Sequence, residues 1–349
     1  NTVYGKGGAI NMSVGCELTL NGTDIIENQT FTGYKYTDPN ITPGHNSSME
    51  MTYTLPDHSA LGYDSSIRYE GYGGGISVDA GTCTIQNNSI ISGNHAAYDG
   101  GGIALIMIDT QSGAKVPSLT MVNGSITENL SERNGGGVYI MKNSSSLSGN
   151  ISATINGGSI ISNYAKGNGG GIYMETGSRF TMEDGVTLSK NIAGVDGGTG
   201  SGGAVYVSEG TATIKGGDIV SNRASVNGGA IYVNGNVTVS KGNLTKNLAA
   251  SSGGSIYVQP GTVTMNNISM TNNMAGADGG GLYLGDGSLT IGNSASNIIQ
   301  GNTASNGGGA CIANGTLGME KCTVSGNTAN LSGGGIYVAN MTAVTINLT

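Results

Sequence analysis

Three histidines, four cysteines and 22 acidic residues are the side chains here with the means to do acid–base, nucleophilic or metal chemistry. Polysaccharide cleavage needs two carboxylates about 5–10 Å apart, or a base beside a calcium-bound acidic cluster. The acidic pair Glu183–Asp184 is the nearest approach, and its repeat neighbours are expected to be Val122–Asn123 and Lys215–Gly216, which supply no second acid. Asp196, Asp278 and Asp286 fall in turn-like stretches and read as solvated. Asp-Asp, Gly-His-Gly, the GGxGxD calcium repeat, a phosphate loop, a nucleophile elbow and a histidine pair are all missing from the sequence. No catalytic residue, cofactor or metal ligand is therefore assigned. A net charge of −8 with 14 basic residues, and no Lys/Arg cluster, argues against nucleic acid. No apolar run is long enough to span a membrane.

Two further chemistries remain open. Cys16, Cys83, Cys311 and Cys322 fit no zinc spacing. They are expected to pair as Cys16–Cys83, pinning the base of a long insertion, and Cys311–Cys322 within one repeat. Asn-x-Ser/Thr sequons are more frequent than composition alone supplies, which suggests a secreted, glycosylated chain. The candidate acceptors are Asn11, Asn21, Asn40, Asn46, Asn87, Asn123, Asn143, Asn150, Asn236, Asn243, Asn267, Asn314, Asn330 and Asn340. Asn28 and Asn129 also lie in sequons but belong to a buried structural row, so no glycan is expected there.

That row belongs to a repeat running through the chain. With 64 glycines, 5 prolines and a hydrophobic share of 37 %, the 349 residues are neither collagen-like nor disordered. A Gly-Gly-small-aliphatic tag recurs from Gly7 to Gly333, and from Gly202 onward its spacings are 26, 25, 26, 28 and 26. Each tag opens a strand of alternating character such as Ile231–Tyr232–Val233, followed by a second such as Val237–Thr238–Val239. A third then ends in asparagine, as in Leu244–Thr245–Lys246–Asn247. Period-2 strands at this spacing, with no helical period, predict a right-handed parallel β-helix of three short strands per coil. At about 4.8 Å per coil, eleven tags make a rod roughly 50 Å long. Residues 1–349 are read as one such segment, with insertions at 29–72, 106–117, 141–151 and 194–201.

Alternation assigns faces. The outward position of the first strand is tyrosine at Tyr139, Tyr173, Tyr206, Tyr232, Tyr257, Tyr283 and Tyr337, an expected contact stripe of exposed rings. In the second strand it is threonine in nearly every coil, from Thr19 to Thr345. Such a grid raises an ice-binding solenoid as a remote alternative, although Glu17, Arg179, Asn236 and Gly318 interrupt it. The third strand ends in Asn28, Asn94, Asn129, Asn163, Asn191, Asn222, Asn247, Asn273, Asn302 and Asn327, an expected ladder satisfying turn backbone.

The pairing of GGA[I/V/L] with aliphatic-x-x-Asn resembles the repeats of the chlamydial polymorphic membrane proteins and related adhesin-like β-helices, with Ile, Leu, Val or Met here in place of the family's usual Phe. The resemblance implies a surface-displayed, often adhesive segment, and names no ligand. No stretch of these residues is read as the family's membrane-anchoring C-terminal barrel. The expected function is thus a non-catalytic extracellular structural or adhesive segment, with a polysaccharide-binding or polysaccharide-degrading β-helix as the alternative. Expected partners are neighbouring coils of a longer chain or end-to-end copies, and glycans or a cell-surface protein.

Overall fold

The computed structural model is a right-handed parallel β-helix with no α-helix among the described residues. It describes the chain except residues 5, 13–14, 32, 35–67, 70, 108–114, 143–148, 293–296, 340–343 and 349. Three parallel sheets of 20, 10 and 11 strands run along the rod. The first and second strands of each coil share the 20-stranded sheet, and they fuse into single strands at Val205–Ile214 and Ile231–Val239. The aliphatic-x-x-Asn strands make the 10-stranded sheet. The third sheet consists largely of two-residue strands just after each asparagine, such as Tyr164–Ala165, Ile192–Ala193 and Leu248–Ala249. These are too short to leave an alternation pattern. Their signal is instead a small residue two places after the Asn, buried at Ala165, Ala193, Ala224, Ala249 and Ala275.

Inward positions stack like on like. Val138, Ile172, Val205, Ile231, Ile256 and Leu282 pair in register, all 0–1 % exposed, within one apolar cluster that runs the length of the rod. Each coil therefore buries its aliphatic side chains against two neighbours, and most of the stability comes from that burial.

Two corners recur. The first glycine of every tag has φ of 62–74°, the left-handed region that glycine enters without cost. The second glycine has no room for a side chain. A Cβ on Gly170 would lie 2.5 Å from Gly203 O and from the Ile192 carbonyl carbon. The other corner is the residue before each ladder asparagine. Glu27, Gly93, Glu128, Ser162, Lys190, Ser221, Lys246, Asn272, Gly301 and Gly326 all have φ of 54–67°. Seven of these ten are not glycine, so the bend is held by the asparagine after it rather than by the residue's own preference.

Several expectations are corrected. The insertion assigned to 29–72 is narrower at both edges. Gln29–Phe31 is a regular strand of the third sheet, and Gly71 and Tyr72 lie against the next coil. Between them Gly33–Tyr34 pairs antiparallel with Arg68–Tyr69, while 35–67 lies outside the described residues, as do the centres of the insertions at 106–117 and 141–151. Thr345 does not extend the main threonine row, because its register partner is Thr316. None of the four cysteines is in a disulfide. Cys16 pairs across the sheet with Gly81 and Cys83 with Leu18, two residues apart in register, and Cys83 points into the core. Cys311 and Cys322 stand in two different sheets.

Candidate functional site

The asparagine ladder is continuous. Asn28 Nδ2 donates to Asn94 Oδ1 at 2.9 Å, and the same bond links Asn94 to Asn129, Asn163, Asn191, Asn222, Asn247, Asn273, Asn302 and Asn327 at 2.9–3.1 Å. Each backbone N–H donates to that same next Oδ1, as Asn191 N does to Asn222 at 3.0 Å. From Asn94 onward each Nδ2 also reaches the carbonyl three residues before the previous asparagine, as Asn191 does to Ile160 at 2.9 Å. The amides from Asn28 to Asn302 are at most 3 % exposed. Such a row fixes each bend and leaves no buried donor unmet. Asn28 and Asn129 lie within it.

A second polar row was not anticipated. Asn134 N donates to Asp99 Oδ1 at 2.8 Å, Asn168 N to Asn134 Oδ1 at 2.9 Å, and Ser201 N to Asn168 Oδ1 at 2.9 Å. Asn227 N to Ser201 Oγ at 3.3 Å and Ser252 N to Asn227 Oδ1 at 3.1 Å continue it. The sequence signal was the Asn, Asp or Ser immediately before most glycine tags. Asp99 is its one deeply buried carboxylate, 1 % exposed. Burial raises its carboxyl to about 6, against the opposing pull of Arg133 and of the Asn134 hydrogen bond. Arg133 Nη1 stands 3.9 Å away.

The tyrosines form a column rather than a stripe of exposed rings. Tyr72, Tyr139, Tyr173, Tyr206, Tyr232, Tyr257 and Tyr283 stack in sequence at centroid spacings of 6.0, 5.5, 5.0, 4.5, 5.2 and 4.8 Å, all within 15° of parallel. Tyr139 and Tyr257 are buried and the others from Tyr173 to Tyr283 half-buried. Tyr72, which the sequence placed in the insertion, joins because the outward positions Ser77 and Ala104 leave room, and Tyr98 packs on it edge-on at 5.4 Å. Arg133 lies 4.3 Å over the Tyr98 ring. Tyr337 is cut off from the column, because Cys311 occupies the register position between it and Tyr283. Stacked rings show each other their faces and show solvent their edges, so the column is no platform for sugar rings. Burial pushes the Tyr173 and Tyr257 hydroxyls up to about 12.

Several acidic residues, the Glu183–Asp184 pair among them, are engaged by cations. Lys215 binds Glu183 and Lys241 binds Asp184, each at 2.6 Å. The coil neighbour of Glu183 on its preceding side is Asn156, not Val122, which lies one coil further, because residues 156–182 form a full coil of their own. Glu132 bridges His95 at 2.9 Å and Lys166 at 2.6 Å. Burial raises the Glu132 carboxyl, but the hydrogen bonds from Lys166 and His95 outweigh this and hold it below its usual range. A shallow depression of about 220 Å³ at the turns after the second strands is lined by Asp184, Asp218, Lys241, Asn243 and Asn267. Among the described residues no cluster of three or more His, Cys, Asp or Glu is placed to hold a metal ion. Burial raises the Cys83 and Cys311 thiols to about 12 and Cys322 to about 11, so none of the three is a ready nucleophile.

Of the sequon asparagines, Asn11, Asn21, Asn87, Asn123, Asn150, Asn236, Asn243, Asn267 and Asn330 are exposed and Asn314 is half-buried. Asn40, Asn46, Asn143 and Asn340 lie outside the described residues.

The Chlamydia polymorphic membrane protein repeat matches residues 321–339. Those residues carry both halves of the motif, Val324 to Asn327 and the tag at Gly333. The chain resembles the polymorphic-membrane-protein repeat proteins. No curated protein and no solved structure matches it.

Proposed function

We propose that the chain is a non-catalytic structural or adhesive segment of an extracellular surface protein. The observation that carries this reading is the engagement of the Glu183–Asp184 pair by Lys215 and Lys241, on a rod whose other polar rows hold coils together. The repeat match at 321–339 supports surface display. The contacts would be made by side chains presented in rows: the half-exposed threonine row, the tyrosine edges, and sequon asparagines bearing glycans. Glycans or a cell-surface protein are the partners such rows suit.

The test is to pass defined polysaccharides and intact cells over immobilised chain. Retention without change in polymer length supports the reading, and new reducing or unsaturated ends would replace it with a polysaccharide-degrading enzyme. Intact mass of native material tests the glycans, and a bare polypeptide mass removes them from the proposal.

A further inference from the structure

The tyrosine column has a property that packing alone does not use. Tyrosine and cysteine are the side chains that most readily lose one electron in a protein without tryptophan, and this chain has none. Seven tyrosine rings lie 4.5–6.0 Å apart, close to parallel, so their π-systems are in van der Waals contact from Tyr72 to Tyr283. At one end Tyr98 joins edge-on. At the other, register sets Cys311 next after Tyr283, and its thiol is 1 % exposed. An oxidised tyrosine must also give up its phenolic proton. Tyr139 has an acceptor for it, since its Oη donates to Glu175 Oε1 at 2.9 Å.

We propose that the column is a path for one-electron oxidising equivalents along the rod, entered at the Tyr98–Tyr139 end and ending at the Cys311 thiol. The oxidant is a one-electron acceptor at the surface, of the class of a peroxidase ferryl haem or a photo-oxidised metal complex. In the first step Tyr139 passes one electron to the oxidant, which is reduced by one, and its proton to the Glu175 carboxylate. No bond between heavy atoms forms or breaks. Each later step is an exchange between neighbours, one tyrosine regaining an electron and a proton as the next loses them. Finally the Tyr283 phenoxyl radical takes the hydrogen atom of Cys311, leaving tyrosine and a thiyl radical. A thiyl radical is open to trapping and to the oxidation ladder of cysteine.

The test places a ruthenium polypyridyl photo-oxidant on His95, three residues before Tyr98, in the full chain carrying His45→Gln and His58→Gln. Flash oxidation is quenched at once into denaturant holding a nitrone spin trap, which exposes the buried Cys311, and is followed by peptide mass spectrometry. The main adduct is expected on Cys311. Tyr206→Phe keeps a ring in the stack but removes its accessible oxidised state, so the Cys311 adduct falls by about tenfold or more and adducts build up on Tyr139 and Tyr173. Tyr164→Phe, outside the column, leaves the yield unchanged. Equal Cys311 labelling in Tyr206→Phe, or wild-type labelling that stops at Tyr98 and Tyr72, would overturn the proposal.

Discussion

Replacing Asn191 tests whether the ladder holds the coils together or merely decorates their corner. Asn191 takes part in five hydrogen bonds. Its N–H and Nδ2 both donate to Asn222 Oδ1, its Nδ2 also donates to Ile160 O, and its Oδ1 accepts from Asn163 N and Nδ2, all at 2.9–3.0 Å. Asn191→Ala strands the Asn163 N–H in a site 0 % exposed and takes from the Ile160 carbonyl one of its donors. At about 1–3 kcal/mol for the buried orphan, plus the lost amide bonds and a small cavity, the loss is about 2–4 kcal/mol. Asn191→Asp has the same shape but sets a carboxylate oxygen where Nδ2 faced Ile160 O and Asn222 Oδ1. At neutral pH it is expected to cost at least as much as alanine. Burial raises the introduced carboxyl, so stability lost at pH 7 returns as the pH falls through that raised value and an O–H donor reappears. Denaturant unfolding at pH 7.5 and pH 4.5 measures both variants, with hydrogen exchange at Asn163 and Ile192 reporting the local opening. A loss below about 1 kcal/mol for alanine, or an aspartate variant indifferent to pH, refutes the ladder as a structural element.

The buried carboxylate of the second row should show the same sense of pH dependence. Asp99, raised from 3.8 to about 6, costs the folded state about 3 kcal/mol above pH 6, a cost that vanishes below pH 4. Asp99→Asn keeps the acceptor for Asn134 N–H and should therefore stabilise at pH 7.5 and be neutral at pH 3.5, as read by unfolding at both. Tyr232 stacks on Tyr206 at 4.5 Å and Tyr257 at 5.2 Å, so Tyr232→Ala should lose about 3–5 kcal/mol and Tyr232→Phe less than about 1 in thermal unfolding. Gly170→Ala drives a Cβ to 2.5 Å from the Gly203 and Ile192 backbone, and a melting temperature unchanged by it would contradict the close coil packing. Lys190, exposed at φ 55°, should gain about 1 kcal/mol as glycine, because the left-handed bend no longer strains a Cβ; denaturant midpoints check the sign.

The fold was legible because one coil's chemistry is repeated. Alternation, the glycine tags and aliphatic-x-x-Asn each recur at the spacing of a β-helix, and no packing detail is needed to read them. The ladder positions were legible for the same reason, since an amide at one corner of every coil has only its own copies as neighbours. The third sheet was not, because two residues carry no period. Its trace is the buried small residue at Ala165, Ala193 or Ala249.

What tertiary structure decided are the relations between repeats that differ from their neighbours. Asn156 next to Glu183, and Thr345 next to Thr316, depend on where insertions end, which the repeat count alone misplaces. Cysteine pairing turned on register and sheet, two quantities that spacing along the chain does not carry. Whether the tyrosines would be exposed rings or a stacked column depended on side-chain packing between coils, and on Ser77 and Ala104 being small enough to admit Tyr72. The sequence determined that the coils stack. Only the stack determined which side chains meet across them, because those contacts join residues 25 or more positions apart, where a single insertion shifts every partner.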